Sequence, residues 1–401
     1  MTLVQKEIKA VYLWENKVRP PYQPRTFTIS WTEKSNMSSW WTYSDDAAWL
    51  TAWDTAFDEF FWYYGCRLNT SGVETAKVTQ EESWWAWKLD ITRLWTLTSW
   101  DNVMIAFPVR WIKMSKSGST VTLSITEELG KDWYQYYAFQ TWQTNNITDT
   151  KDKFYLWAYK WYSWWTTSSY TLKSRSWQSP TCWTNSTWSW VWNQMDFCTM
   201  AGNNGSWYNI IWFYQRQYIN ALYMMKYWNP NSQSVIGNWY TSWRAKQNTW
   251  ATNSITNATW ATSTSSTWRI KLFWLEDRWG NIWEWIWWAY IDSSYYLVTA
   301  LSWYYWTLNY WVNTFIQINF RYACMSSISW TNLGMLAPIS WVNNSNYNTY
   351  YTDLSLGNVY TKLIIAGWDY LQWAAAWIFW WNTNYGYQQS SLAAGSRLVY
   401  L

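Results

Sequence analysis

The side chains that could carry chemistry in this chain are mainly carboxylates, because it contains no histidine. Without an imidazole neither a Ser-His-Asp nor a Cys-His arrangement can form, and no GxSxG or P-loop pattern occurs. Adjacent acids do recur, at Asp45-Asp46, Asp58-Glu59, Glu81-Glu82 and Glu127-Glu128. Two carboxyl groups flanking a glycosidic bond are the minimum for acid–base hydrolysis. Sequence neighbours of this kind ordinarily lie on solvated surface, so catalysis is not expected. Glu276 and Asp277 could ligate calcium together with backbone carbonyls, yet a hard cation takes roughly six to eight oxygens and no loop here is acidic enough. No cofactor is therefore expected, with calcium kept open only at that pair. The four cysteines, Cys66, Cys182, Cys198 and Cys324, lack CxxC spacing and read as buried free thiols, not as a zinc site or a disulfide framework.

Charge narrows the partners. Lys+Arg 29 against Asp+Glu 25 leaves a net charge of +4, with no run of like charges to mark a nucleic-acid or membrane-surface tail. No stretch is apolar for the ~18 residues a membrane span needs, so insertion is not expected. The opening "MTLVQKEIKAVYLWENK" alternates apolar and polar residues and does not read as a signal peptide.

Tryptophan is the anomaly. The chain has 48 tryptophans and 13 glycines in 401 residues, whereas glycine alone averages ~7% of a protein. Trp-Trp doublets at 40–41, 84–85, 164–165, 287–288 and 380–381 stand mostly beside Ser, Thr, Asn or Ala, the usual company of Gly-Gly in loops. Residues 214–227 read as an amphipathic helix with Ile219, Leu222, Tyr223 and Met225 on overlapping faces, and Asn229-Pro230 follows. Trp228 then occupies the position after the helix, where a left-handed backbone favours glycine and a Cβ costs ~1–2 kcal/mol. We expect most of the tryptophans to stand at glycine positions, as follows if UGA codons meaning glycine were translated as tryptophan. The competing reading, indoles displayed to stack on sugar rings, needs only a few exposed aromatics.

The elements that must position any site follow from alternation and turn chemistry. Residues 1–30 read as a small hairpin around Trp14-Glu15-Asn16, closed by the Pro20-Pro21 breaker. Residues 31–135 read as β-rich, with a short helix near Thr55 to Phe61 and a hairpin over 101–126 turning at Lys116-Ser117-Gly118. Pro108 favours an edge or a bulge for its strand. From 136 to 401 come polar loops, the helix and the segment "WGNIWEW" at 279–285. There Gly280-Asn281 supplies a tight turn. Trp283 and Trp285, two apart, share one face and fill a core, leaving Glu284 on the other face to bind turn amides.

"LEDRWGNIWEWI" (275–286) resembles the G-N-V-W-E-W signature of formylglycine-generating-enzyme-like domains and of phage receptor-binding proteins with the C-type lectin fold. Residues 194–240 are similar to the helical section of gut-phage tail proteins of this class. "YSDDAAWLTAW" with "WDNVMIAFPVRWIKM" resembles their amino-terminal part, and "IKAVYLWENKVRP" an attachment hairpin. Residues 366–398 resemble the variable segment of retroelement-diversified C-type lectin proteins, with Gly395-Ser396-Arg397 as the closing strand. The resemblance implies an α+β fold with a C-type-lectin-like domain over 136–401, and ligand-binding residues Asp369, Tyr370, Gln372, Phe379, Asn382, Asn384, Tyr385 and Tyr387. It implies a phage or prophage tail-fibre adhesin on the virion tail, binding a glycan or protein receptor on the host cell surface beside other tail proteins, and by analogy a homotrimer. Two alternatives stay open, a polysaccharide depolymerase of the host envelope and a bacterial surface adhesin diversified by a retroelement. Formylglycine-generating enzymes carry a cysteine pair late in the domain, and here no cysteine follows Cys324, so their redox chemistry is not expected.

Sequencing the gene checks the glycine reading. TGA is expected at Trp40, Trp41, Trp228, Trp287, Trp288, Trp380 and Trp381, and TGG at Trp279, Trp283 and Trp285. A reverse transcriptase and a near-copy of the 366–398 segment, differing at adenines, are expected nearby. TGG at every position would make the indoles genuine.

Overall fold

Alternating β-branched and aromatic residues dictate the first element, Thr26–Thr32, which turns Phe27, Ile29 and Trp31 inward. It belongs to a computed structural model that describes residues 24–32, 41–51, 55–78, 101–132, 134, 137–139, 150–166, 169–175, 178–180, 194–227, 229, 232–237, 248–249, 270–291, 296–300, 311–317, 323–330, 336–342, 351–355, 362–367, 378–379, 381–385 and 394–401. Residues 1–23 of the expected attachment hairpin lie outside that set. Thr26–Thr32 pairs with Trp41–Asp45 and Thr120–Thr126, and Trp111–Ser117 completes a four-stranded antiparallel sheet.

The hairpin Trp111–Ser117/Thr120–Thr126 forms as the turn chemistry predicts, with Gly118 at φ +57°. The rest of the 101–126 stretch departs from expectation. Asn102–Pro108 is an interior strand of a second sheet, between Tyr64–Leu68 and Lys153–Trp157. Pro108 is its last residue, opposite Lys153, where a missing N–H interrupts little further pairing. That six-stranded sheet runs in the order Tyr208–Ile210, Leu398–Tyr400, Lys153–Trp157, Asn102–Pro108, Tyr64–Leu68, Glu74–Val78. It draws strands from both sides of the expected 135/136 boundary, so that boundary runs through one sheet.

A third sheet is built on Trp283–Ile291, in the order Trp311–Gln317, Tyr296–Ala300, Trp283–Ile291, Lys362–Ala366, Trp381–Tyr385. Ala394–Gly395 lies parallel to the start of its central strand. Leu336–Val342, Ala323–Trp330 and Tyr351–Ser355 form a three-stranded sheet, and two short hairpins complete an α+β architecture with mixed sheets. Among the described residues no helix is long and apolar enough to cross a membrane.

Helix α1 is Thr55–Phe61, as expected, α2 is Gln194–Gly202, and α3 is Phe213–Tyr227. The expectation of an amphipathic α3 is corrected, because all fifteen of its residues are buried. It packs against Trp283–Ile291, Thr26–Thr32, Leu336–Val342 and the turn at Tyr137–Phe139. Two of its polar heads find partners inside: Lys226 Nζ donates to Asp58 Oδ1 at 2.5 Å and Tyr218 Oη to the Pro108 carbonyl at 3.2 Å, whereas the side-chain amides of Gln217 and Asn220 have no hydrogen-bond partner among the described residues. Periodicity reports that a face is polar, not whether water or a buried counter-charge meets it.

Backbone conformation bears directly on the tryptophans. Trp62 follows α1, donates its N–H to the Asp58 carbonyl at 2.8 Å, and has φ +47°. This is the left-handed position after a helix that favours glycine. Trp274 is the second turn residue of the hairpin Lys271–Leu272/Leu275–Glu276, where Phe273 and Trp274 have φ +49° and +60°. Two positive φ angles define a type I′ turn, whose second residue is characteristically glycine. Trp207 has φ +72°. The doublets behave otherwise: Trp41, Trp164, Trp165, Trp287, Trp288 and Trp381 lie in strands instead of turns, a correction. Trp287 and Trp288 fall where the register against Lys362–Ala366 shifts between Trp285 and Tyr290, an irregularity that also suits glycine. Trp40, Trp228 and Trp380 lie outside the described residues.

Trp62 is 41% exposed, so truncation sacrifices little packing. Trp62→Gly is expected to raise stability by about 1 kcal/mol, the net of relieved left-handed strain and a more flexible unfolded chain. Urea denaturation measures it, and an equal or lower midpoint would show that the indole, not the backbone, governs this position.

Candidate functional site

The "WGNIWEW" segment folds as its residue types demand. Gly280 and Asn281 take φ +81° and +67°, and the Gly280 N–H donates to the Gly367 carbonyl at 2.5 Å. Asn281 Nδ2 donates to Asp277 Oδ2 at 2.9 Å. The chain then extends, and Trp283 and Trp285 are buried together with Trp279. Glu284 is also buried, and its hydrogen bonds go to four cations instead of the expected turn amides. Oε1 accepts from Lys160 Nζ and Arg397 Nε, each at 2.9 Å. Oε2 accepts from Arg278 Nη1 at 2.7 Å and Arg216 Nη1 at 2.9 Å.

Each cation arrives from a different segment, and Lys160, Arg216 and Arg397 are themselves held in place by further hydrogen bonds. Lys160, just past Lys153–Trp157, also donates to the Ile282 carbonyl at 2.9 Å. Arg216, on α3, places Nη2 on the Ile378 carbonyl at 2.9 Å. Arg397 bonds the Trp157 carbonyl at 2.8 Å and the Glu276 carbonyl at 2.6 Å. Beside it, Ser396 Oγ donates to the Trp285 carbonyl at 3.0 Å. Gly395 has no room for a side chain, because a Cβ there would lie 2.0 Å from Trp161 Nε1.

Burial by itself would push the Glu284 carboxyl up, but the charges of Lys160, Arg397, Arg278 and Arg216 together hold it well below the usual carboxylate range. Burial pushes the Lys160 amine down to about 7, against the opposing pull of Glu284. None of the five side chains is more than 1% exposed. Neither solvent nor substrate reaches this carboxylate, so the arrangement fixes geometry and does not perform proton transfer on a ligand.

The ligand-binding residues implied by resemblance have mixed fates. Phe379 is only 3% exposed and meets Tyr223 edge to face, with ring centroids 6.0 Å apart. Its role as a contact residue is therefore corrected to packing. Asn382, Asn384 and Tyr385 lie in strand Trp381–Tyr385. Asp369, Tyr370, Gln372 and Tyr387 lie outside the described residues. The structure does fix both flanks of the 368–377 stretch to the hub, Gly367 through Gly280 and Ile378 through Arg216.

The adjacent acids are separated by their partners. Asp58 pairs with buried Lys226, Glu127 with Arg25 and Arg110, and Glu128 with Lys131. Asp46 Oδ2 accepts the Thr26 N–H at 2.6 Å, and Glu81-Glu82 lies outside the described residues. Glu276 and Asp277 are fully buried, and among the described residues no three His, Cys, Asp or Glu side chains gather as a metal site. Cys66 and Cys198 are buried free thiols, pushed up by burial.

Sequence reasoning missed the cations around Glu284. Arg278 directly precedes the motif and Arg397 ends the closing Gly-Ser-Arg, so both carried a positional signal. Lys160 and Arg216 carried none, being 124 and 68 residues from Glu284. No protein-family model matches the chain, and no curated protein matches it.

Removing one partner of a buried ion cluster leaves uncompensated charge, so Glu284→Gln is expected to cost about 3–5 kcal/mol. The pH response has a definite sign. A carboxyl whose folded pKa is depressed contributes stability above its ordinary value of ~4.3 and loses it as pH falls through the folded value. Denaturation at pH values from about 3 to 7 should show the parent chain losing stability toward acid more steeply than Glu284→Gln. Parallel profiles would remove Glu284 as the acid-sensitive group.

Proposed function

We propose that the chain is a receptor-binding adhesin of a phage or prophage tail, using a C-type-lectin-like domain to grip a glycan or protein on the host cell surface. The observation that carries this reading is the fixing of Gly367 and Ile378 to the buried Glu284 hub. Recognition residues characteristically sit on connecting segments supported by a rigid scaffold. Flanks held by hydrogen bonds inside the core insulate the fold from sequence change between them. The residues between and after them are rich in suitable contact types: Tyr gives amphipathic area at low entropic cost, and Asn adapts its hydrogen bonding. Asp369, Tyr370, Gln372, Asn382, Asn384, Tyr385 and Tyr387 are proposed as receptor contacts, with Phe379 as packing beneath them. In this reading the protein sits on the virion tail as a homotrimer beside other tail proteins and performs no catalysis.

Binding of the purified protein to host cells tests it. Tyr370→Ala combined with Tyr387→Ala should weaken cell binding by about tenfold or more while leaving the thermal midpoint unchanged, as expected for aromatic contact residues. Incubation with host envelope polysaccharide should release no reducing ends. Undiminished binding by the double variant would sink the contact assignment, and turnover lost on replacing a carboxylate pair would establish a depolymerase instead.

A further inference from the structure

We infer that the Glu284 cluster holds a small monovalent anion, of the halide class, against the guanidinium of Arg278. The inference does not rest on the adhesin reading. Its first basis is the acceptor capacity of Glu284. Each carboxylate oxygen already takes two charged donors, Lys160 and Arg397 on Oε1, Arg278 and Arg216 on Oε2. With two lone pairs per oxygen, it can accept nothing more.

The second basis is Arg278 itself. It gives Glu284 only Nη1, while its Nε and Nη2 are buried and have no hydrogen-bond partner among the described residues. A guanidinium cannot relieve this by losing a proton. A buried polar group without a partner calls for a specific explanation such as a bound ion or water.

Charge points the same way. The buried cations Lys160, Arg216, Arg278, Arg397 and Lys271, the last opposite Glu276 in its hairpin, outnumber the carboxylates of Glu276, Asp277 and Glu284, all of them buried. Loss of the Lys160 proton would narrow that excess but would leave both Arg278 N–H groups unserved. An occupant must therefore accept hydrogen bonds without donating any, carry negative charge, and be small, because Arg278 is wholly enclosed. A halide meets all three requirements, and chloride is the common one. Phosphate and sulfate are larger and carry more charge.

The test uses the full chain with chloride and bromide as probes. Crystals grown in bromide should show anomalous scattering beside Arg278 Nε and Nη2. At constant ionic strength, replacing gluconate by chloride should raise the thermal midpoint by a few degrees in a saturating manner, since a ligand of the folded state stabilises by mass action. Arg278→Met, which leaves Glu284 three cations, should lose that chloride dependence. Should this variant fail to fold, the bromide map of the parent chain decides. Absence of bromide there, or an ordered water only, overturns the inference.

Discussion

A single buried carboxylate surrounded by four cations is the constraint on which the rest of this structure depends. Desolvating any one of these ions alone would cost several kcal/mol, so each tolerates burial only while the others keep their places. Glu284 reaches Lys160, Arg216 and Arg397 across 124, 68 and 113 residues of sequence. The interaction therefore joins the sheet built on Trp283–Ile291, helix α3 and the sheet that contains Lys153–Trp157 and Leu398–Tyr400 in one electrostatic unit.

The same hub explains why its neighbours have so little freedom. Gly280 must turn so that its N–H meets Gly367, and Gly395 must lack a side chain where Trp161 presses against it. Arg397 is bonded to carbonyls on two other segments, which aligns the closing strand beside Lys153–Trp157. Direct ion contacts and backbone hydrogen bonds thus reinforce one another. Burial strengthens both, because a low local dielectric raises the worth of each satisfied bond along with the cost of each unsatisfied one.

Set against this ordered centre, two physical classes of tryptophan stand out among the described residues. Trp157, Trp279 and Trp285 are enclosed side chains whose volume the core uses. Trp62, Trp207 and Trp274 stand on left-handed backbone that suits glycine. Trp274 belongs to both classes, since its ring is 2% exposed and meets Tyr63 edge to face at 5.6 Å. Backbone need and side-chain packing are therefore separable demands, and one residue type meets both poorly wherever they coincide.

Local rules in the sequence determined the hairpin turning at Gly118, helix α1, the span of α3 and the Gly280-Asn281 turn. They also determined the burial of Trp283 and Trp285. All of these follow from alternation, helical period and φ preference, which act over a few residues. The sequence also stated the conflict between tryptophan and glycine, through the rule for the residue after a helix, although the described example is Trp62 and not Trp228. Only the tertiary structure decided that Glu284 answers cations instead of amides, that α3 is enclosed on every side, that Phe379 faces inward, and that one sheet spans the 135/136 boundary. Each depends on which distant segments meet. Lys160 and Arg216 have no spacing relation to Glu284 that a short-range rule could detect, and a long-range electrostatic match is settled only when the chain closes around it.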